Sequence, residues 1–338
     1  MGIYLKSGYI DIEKIMRTGL PFSFIVGGRG TGKTYGILKY LKEHHKTFML
    51  LRRTNSQFEI ITAPLSMPFK KLNADMGWTV QPFAQNKYMA AFYDTDEDGK
   101  PEGEPLGYAA ALATFSNLRG VDLSDVDVLF YDEFIPEPSA KRIKEEGQTF
   151  LNVYETINRN RELEGRPALM AVCAANSMDL GNPIFMELEL ISTAEKMRRK
   201  GQEMRLDPER GIALYIMDKS PISERKRKTA LYRAAGGRFN EMALDNVFED
   251  MGENISPQPL NEYRLLFTVG EISIYKHKSG NRYYISQHRS GGGPKYTASD
   301  TDRRRVVRAY SYIWRAYLAN KIYFENSTCE ILLKKYYL

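Results

Sequence analysis

One stretch near the N-terminus constrains the fold more than any other part of the sequence. The stretch fills the G-x-x-x-x-G-K-[ST] phosphate-loop pattern without a mismatch, with Gly27, Gly28, Arg29, Gly30, Thr31, Gly32, Lys33 and Thr34. The apolar run 22–26 precedes it, and a proline-free run of helix formers over 35–45 follows it. Strand, glycine-rich loop and helix in this order favour a phosphate-binding loop over a chance glycine-rich turn.

The predicted loop determines the class of ligand. Glycines let backbone N–H groups wrap around phosphates, and the N-terminus of the following helix adds positive potential. In this pattern the ammonium of Lys33 reaches the β- and γ-phosphates, and the hydroxyl of Thr34 ligates Mg²⁺. The sequence therefore predicts that residues 27–34 bind a nucleoside triphosphate together with Mg²⁺.

A second strand of the buried type ends in two carboxylates. The apolar residues 128–131 lead directly into Asp132 and Glu133, which is typical of a parallel strand that ends at the nucleotide edge of a sheet. Asp132 is suited to hold Mg²⁺ through water, and Glu133 to polarise the attacking water. The plain alternative is an acidic turn. Because neither Asn-Lys pair of the chain is followed by the aspartate of a guanine-reading motif, an ATPase is the better interpretation than a GTPase.

Four further residues have two interpretations each. Asn176 follows the apolar run 168–175 and is either a sensor amide at the γ-phosphate or a turn and cap residue. Arg159 and Arg161 lie at the end of a helix predicted over 148–163. They either complete the site of a neighbouring subunit or complement the helix dipole. Arg119 precedes the Asp132 strand and is either a DNA contact in a pore loop or a surface charge.

The 338 residues are enough for two domains. Strands that alternate with helices predict an α/β fold with a central, mostly parallel sheet. We expect a P-loop ATPase domain over 1–208, a helical linker or lid over 209–255, and a smaller α+β domain over 256–338. The last domain is predicted to contain a three-stranded antiparallel meander and one long helix over 300–321.

Charge and composition narrow the partners. The net charge is +6, and residues 209–338 carry 22 Lys/Arg against 14 Asp/Glu. This excess favours a polyanion such as nucleic acid, or else a solvated basic surface. Two cysteines and four histidines predict neither a disulfide framework nor a metal cluster, and they suit a reducing cytoplasm. No apolar run reaches membrane-spanning length, so no membrane partner is expected.

Several motifs together resemble a known family, the DNA-encapsidation ATPases that drive genome packaging in small, protein-primed podophages. These enzymes are terminase-like P-loop motors of the ASCE class. The resemblance is carried by residues 27–34, Leu51-Arg52-Arg53, Asp132-Glu133-Phe134-Ile135, Arg159-Asn160-Arg161-Glu162, Asn182-Pro183 and Leu244-Asp245-Asn246. The phosphate loop alone is generic, whereas the Asp-Glu-Phe-Ile and Arg-Asn-Arg-Glu stretches together are specific.

The resemblance implies a homo-oligomeric ring that uses ATP to drive double-stranded DNA into a prohead. The ring would be a pentamer at the portal vertex, in the host cytoplasm and absent from the mature virion. The resemblance implies that Arg159 is a trans-acting arginine finger, with Arg161 the second choice, and that Arg119 touches DNA. It places Arg52 and Arg53 near the subunit interface. Whether a packaging RNA joins the motor stays open.

The C-terminal part resembles the family more weakly. A meander followed by a helix fits an RNase H-like nuclease module, but the predicted strand interiors lack the carboxylates that two catalytic metals require. Glu262 and Glu271 lie at strand edges, and Asp300 and Asp302 at a helix start, where they serve as caps. We expect a vestigial nuclease that binds nucleic acid or the portal. For the whole chain, the alternatives are another ring DNA translocase or helicase, and a non-motor ATP-switched DNA-binding adaptor.

Overall fold

The computed structural model describes residues 2–136, 143–176, 180–217, 220–226, 228–234 and 254–337. The chain divides into two compact units. The first unit comprises Met1–Leu188 and Ala194–Phe248, and the second comprises Glu189–Thr193 and Glu249–Leu338. The motif Leu244-Asp245-Asn246 lies outside the described residues.

The first unit is built on a nine-stranded sheet. Its strands are β1 (Phe22–Gly27), β2 (Phe48–Arg52), β3 (Gln81–Asn86), β4 (Met89–Thr95), β5 (Pro101–Ala111), β6 (Val128–Asp132), β7 (Met170–Ala175), β8 (Met204–Asp207) and β9 (Ile212–Met217). Their spatial order is β3-β4-β5-β2-β6-β7-β1-β9-β8. The strands from β5 to β9 in this order pair in parallel, and the outer strands β3, β4 and β8 pair antiparallel. The predicted α/β fold with a large, mostly parallel sheet is confirmed.

Helices join most of the parallel strands. Up to residue 234 they are α1 (Ile12–Met16), α2 (Lys33–Glu43), α3 (Asn55–Thr62), α4 (Lys70–Met76), α5 (Glu146–Asn158), α6 (Pro183–Glu187), α7 (Ile191–Arg199), α8 (Pro221–Lys226) and α9 (Ala230–Ala234). Side-chain caps fix several starts: Asp11 caps α1, Thr54 forms a capping box at α3, and Asn182 caps α6. Such caps satisfy backbone donors that a helix start leaves free.

The central strands are apolar throughout because both faces of the sheet are covered. Phe24, Leu129 and Val172, on β1, β6 and β7, are fully buried, as expected for parallel strands between helices. The sheet of the first unit also includes β9, which pairs along the whole length of β1. The predicted boundary at residue 208 therefore falls before the last strand of this sheet.

Two local features differ from the sequence predictions, and a segment that the sequence left ambiguous is now assigned. The helix predicted over 148–163 begins at Glu146 and ends at Asn158, because Arg159 adopts a positive φ of 47°. The exposed turn predicted over 94–105 is shorter, since β4 and β5 stay paired as far as Thr95 and Pro101. The ambiguous segment 54–86 contains α3, α4 and β3.

The second unit contains a five-stranded sheet of order β13-β10-β11-β12-β14. Its strands are β10 (Tyr263–Val269), β11 (Ile272–His277), β12 (Tyr283–Ser286), β13 (Lys295–Tyr296) and β14 (Ile322–Phe324). The first three form the predicted antiparallel meander, and the two short edge strands pair with it in parallel.

The helices of the second unit cover one core. They are α10 (Asp300–Ala309), α11 (Ser311–Leu318) and α12 (Ser327–Tyr337). The single helix predicted over 300–321 is wrong, because Tyr310 leaves helical geometry with φ −124° and ψ 33°. Val306 and Ile313, on either side of this break, are both fully buried in the core. Among the described residues, no helix is both long and apolar enough to cross a membrane.

Candidate nucleotide-binding site

The phosphate loop lies between the end of β1 and the start of α2, as the sequence predicts. Gly30 and Gly32 adopt φ values of 72° and 87°, a left-handed backbone that only glycine adopts without strain. A β-carbon at Gly32 would lie 3.1 Å from the ring of Tyr9. Both positions therefore require glycine for its backbone conformation, and Gly32 also because a side chain there would crowd Tyr9.

Lys33 is held inside this loop. Its ammonium donates to the carbonyl oxygens of Gly27 and Gly28 at 2.7 and 2.8 Å and to Oγ1 of Thr31 at 3.2 Å. The pKa of Lys33 is lowered to about 7, mainly by burial and also by the charge of Lys226, while Asp132 and Glu133 oppose the shift. A buried amine whose hydrogen-bond acceptors are carbonyl and hydroxyl oxygens is a group that phosphate oxygens would stabilise in its charged form.

Thr34 and Asp132 form the second part of the site. The Thr34 hydroxyl lies 3.1 and 3.0 Å from the two carboxylate oxygens of Asp132, at the end of β6. Burial raises the pKa of Asp132, and the nearby Arg52 opposes this shift. Within the described ranges no three His, Cys, Asp or Glu residues cluster as a metal site. The two oxygen donors fit Mg²⁺, which typically takes one or two protein ligands together with phosphates and water.

Glu133 follows Asp132 and turns away from the strand. It has a φ of 58°, and 44% of its side chain is exposed. Arg52, at the end of the neighbouring β2, donates to Glu133 at 2.7 Å and to Asp132 at 3.0 Å. The sequence did not identify Arg52 as part of the nucleotide site, although the Leu51-Arg52-Arg53 stretch had marked the position.

Arg53 has a different environment from Arg52. Its guanidinium forms a fork with the carboxylate of Glu146, at 2.6 and 2.8 Å, and both side chains are 2% exposed. The side chain of Arg53 is enclosed within its own subunit, and the expectation that this residue lies near a subunit interface stays a prediction. The pair connects the end of β2 to the first turn of α5.

Asn176 lies directly after β7, between the strands that carry the two halves of the site. Asp132 is paired with Ala174, and Val26 at the end of β1 is paired with Ala175. Asn176 is half-buried and belongs to the same edge of the sheet as Lys33 and Asp132. Its role as a sensor stays a prediction.

The three predicted arginines lie at the opposite edge of the sheet. Arg161 is 4% exposed, and its guanidinium donates to the carbonyl oxygens of Ser124 and Val126 at 2.9 and 2.5 Å. Arg159 is half exposed, and it donates to the carbonyl oxygen of Val121 at 3.0 Å. These carbonyls belong to the loop that precedes β6, whereas Asp132 ends that strand.

Arg119 belongs to the same loop. It follows the 3₁₀ helix Leu112–Leu118 and is exposed. The strand β6, five residues long, separates this loop from the carboxylates by roughly 15 Å, at about 3.3 Å per residue. Neither Arg119 nor Arg159 therefore belongs to the nucleotide site of its own subunit.

Comparison with known proteins gives consistent matches. The sequence model of the family described as "Podovirus DNA encapsidation protein (Gp16)" matches residues 4–269. A DNA packaging protein of Bacillus phage B103 is 26% identical over 260 residues, which cover 75% of this chain and 71% of that protein. The DNA packaging protein of Bacillus phage phi29 is 25% identical over 249 residues, with 72% and 67% covered.

Two solved structures share the fold. A chain of the bacteriophage Phi-29 viral genome packaging motor assembly aligns with a TM-score of 0.66 and 18% identity, over 99% of this chain and 100% of that chain. The Phi-28 gp11 DNA packaging motor aligns with a TM-score of 0.63 and 19% identity, over 96% of each. The similarity of fold thus extends over both units.

Proposed function

The chain belongs to the podovirus DNA encapsidation protein family, and we propose that it is the ATPase subunit of a ring that drives double-stranded DNA into a prohead. The observation that carries the proposal is the convergence of Lys33, Thr34, Asp132 and Glu133 at one edge of the sheet. Lys33 is suited to bind phosphate, Thr34 and Asp132 are suited to bind magnesium, and Glu133 is suited to activate water. ATP hydrolysis is the chemistry that this set supports best.

Each residue of the set has a separate task in the proposed reaction. Lys33 and the amides of residues 27–34 bind the phosphates, and Thr34 and Asp132 hold Mg²⁺. Bound Mg²⁺ neutralises the charge that develops on the phosphate oxygens. Glu133 accepts a hydrogen bond from the attacking water and orients it. Asn176, at the end of the strand between the two halves, is placed to respond to the loss of the γ-phosphate.

Completion of the site requires a cation from another subunit. Arg159 lies at the far edge of its own sheet and is half exposed, and its guanidinium would exchange its contacts with the Val121 carbonyl and Asp122 for a phosphate of the neighbour. Arg161 is buried and holds two carbonyls of the loop before β6, which makes it the less suitable finger. A trans-acting Arg159 supports a ring with shared sites, and we propose a pentamer at the portal.

DNA contact is proposed for two places. Arg119 is exposed in the loop before β6, where it can contact phosphates without reading sequence. The second unit carries a groove of about 410 Å³. It is lined by Asp300, Arg303, Arg304, Val307, Arg308, Tyr336 and Tyr337. Three guanidiniums and two aromatic rings are groups that bind a nucleic-acid backbone.

The proposed absence of nuclease activity rests on how the carboxylates of the second unit are used. Asp302 accepts hydrogen bonds from the backbone and hydroxyl of Thr297 at 2.8 and 2.7 Å, and Glu325 accepts from Ser286 at 2.8 Å. Among the described residues, none of these carboxylates joins a cluster that could hold a metal. We therefore propose a vestigial module, and a Mg²⁺-dependent nicking assay tests it.

The test of the proposed function is ATP hydrolysis by the full chain with and without double-stranded DNA, followed by packaging with purified proheads. We expect stimulation by DNA and protection of DNA from added nuclease by the prohead. Unwinding of free duplex without packaging would favour a helicase instead. ATP binding without DNA-stimulated turnover would favour an ATP-switched adaptor.

A further inference from the structure

The phosphate loop receives a second lysine that the sequence motifs do not identify. Lys226 is the last residue of α8 and comes from a part of the first unit that is distant in sequence from the loop. Its ammonium donates to the carbonyl oxygen of Arg29, in the middle of the loop. The approach is possible because residue 30 is glycine, since a β-carbon there would overlap the Lys226 ammonium.

Contacts on α8 fix the position of Lys226. Arg225, the preceding residue, donates to the carbonyl oxygen of Ser7 at 3.0 Å. Ile222 is 8% exposed, and the first residues of α8 pack against Gly8. The turn before α1 therefore holds α8, and the helix delivers its terminal lysine to the loop.

The charge around this lysine is incompletely neutralised. Burial lowers the pKa of Lys226, and its charge is one of the causes that lower the pKa of Lys33. No carboxylate pairs with Lys226 in the part of the chain that the structure describes, and its acceptor is a neutral carbonyl. Two ammonium groups thus converge on one loop, and an anion placed between them would remove their repulsion.

We propose that Lys226 is a phosphate-binding residue that α8 contributes in cis to the nucleotide site. A phosphate oxygen is a stronger acceptor for an ammonium than a neutral carbonyl, and the four-carbon stem of lysine allows the ammonium to leave Arg29 for a bound phosphate. The contact would connect nucleotide binding to the segment that follows β9. This inference rests on the proposed nucleotide function and adds a residue to its site.

The test is the dissociation constant of the full chain for the magnesium complex of a fluorescent ATP analogue, measured by anisotropy without turnover. Lys226→Met should weaken binding by about tenfold to a hundredfold, the usual effect of losing a hydrogen bond to a charged group. Lys226→Arg should recover most of the affinity because it keeps the charge. Lys228→Met, which removes an exposed lysine two residues away, is the matched control and should bind as the wild type does.

Unchanged or tighter binding by Lys226→Met, with an unchanged melting temperature, would overturn the inference and leave the proposed function intact. Tighter binding would make Lys226 a competitor of the phosphates instead of a ligand. A wild-type chain that fails to bind the analogue would overturn the proposed nucleotide function itself.

Discussion

The guanidinium of Arg52 binds the carboxylate of Glu133 across 2.7 Å, and both residues lie at the ends of neighbouring parallel strands. The same guanidinium reaches Asp132 at 3.0 Å. In this arrangement Arg52 binds a carboxylate oxygen of Glu133, the group that the proposed reaction assigns to the attacking water. In the proposed reaction, Glu133 would therefore exchange Arg52 for water.

Replacement of Glu133 by glutamine separates ATP binding from hydrolysis. Glu133→Gln should bind ATP with nearly unchanged affinity, because Lys33, Thr34 and Asp132 are retained, while the rate of hydrolysis falls by about 10² to 10⁴. Single-turnover hydrolysis measures the rate. Glu164→Gln, at an exposed position, is the control. Steady hydrolysis by Glu133→Gln would remove Glu133 from its role.

ATP affinity should depend on pH through Lys33. Burial lowers the pKa of Lys33 to about 7, so above that pH the free chain holds mainly the neutral amine, whereas phosphate favours the ammonium. Binding then takes up a proton at Nζ. Affinity for Mg-ATP should fall between about pH 7.5 and pH 9, by up to about tenfold per pH unit, the limit for one proton.

Calorimetry in two buffers with different heats of ionisation measures this uptake. Lys33→Arg is the control, because its side chain stays charged over the whole range and should take up no proton. An affinity of the wild type that does not change with pH would contradict the explanation.

The sequence predicts those residues of the candidate site that belong to a short, contiguous sequence pattern. The phosphate loop is a contiguous pattern, and Asp132 with Glu133 directly follows an apolar strand, so both halves of the candidate site can be predicted from local sequence. Their convergence also followed, because the carboxyl ends of parallel strands meet at one edge. The burial of Arg53 was not predicted, since it depends on Glu146, 93 residues away in the chain.

Long-range contacts also explain what the sequence did not predict. Arg52 and Lys226 contact the site from β2 and α8, and no spacing in the sequence indicates either contact. No proline or glycine lies near the break at Tyr310. The helical spacing of apolar residues therefore continues across it in the sequence and predicts one helix. In each case the decisive information is a tertiary contact or a backbone torsion, whereas local propensity is a weak guide.

The buried pair of Arg53 and Glu146 should behave as a unit in stability measurements. Glu146→Leu removes the carboxylate that binds the buried Arg53 guanidinium and should lower the free energy of unfolding by about 3–5 kcal/mol. The double variant Arg53→Met with Glu146→Leu should recover most of this loss, because it removes both buried charges of the pair. Urea unfolding measures both.

Asp75→Asn is the control for this comparison, because it breaks an exposed pair with Lys71 and should hardly move the midpoint. A double variant as unstable as Glu146→Leu alone would show that the loss comes from packing instead of charge.

The groove of the second unit, lined by Arg303, Arg304 and Arg308, should contribute to nucleic-acid binding through contacts with phosphates. Replacing Arg304 and Arg308 together by glutamate should weaken binding to duplexes of unrelated sequence equally and reduce the salt dependence of the affinity, by a slope of about 2. Arg315→Glu, an exposed change on α11, is the control. Equal salt slopes for the wild type and the double variant would exclude the groove.

The measurement that tests the central proposal most directly is DNA-stimulated ATP hydrolysis in mixtures of wild-type and Arg159→Ala subunits. Arg166→Ala is the matched control, because Arg166 donates to the same loop before β6, at the carbonyl oxygen of Ser124. A ring with shared sites predicts that activity falls faster than the fraction of Arg159→Ala subunits rises, whereas Arg166→Ala mixtures keep their activity. A loss in simple proportion to the Arg159→Ala fraction would mean that each subunit completes its own site, and it would contradict the account.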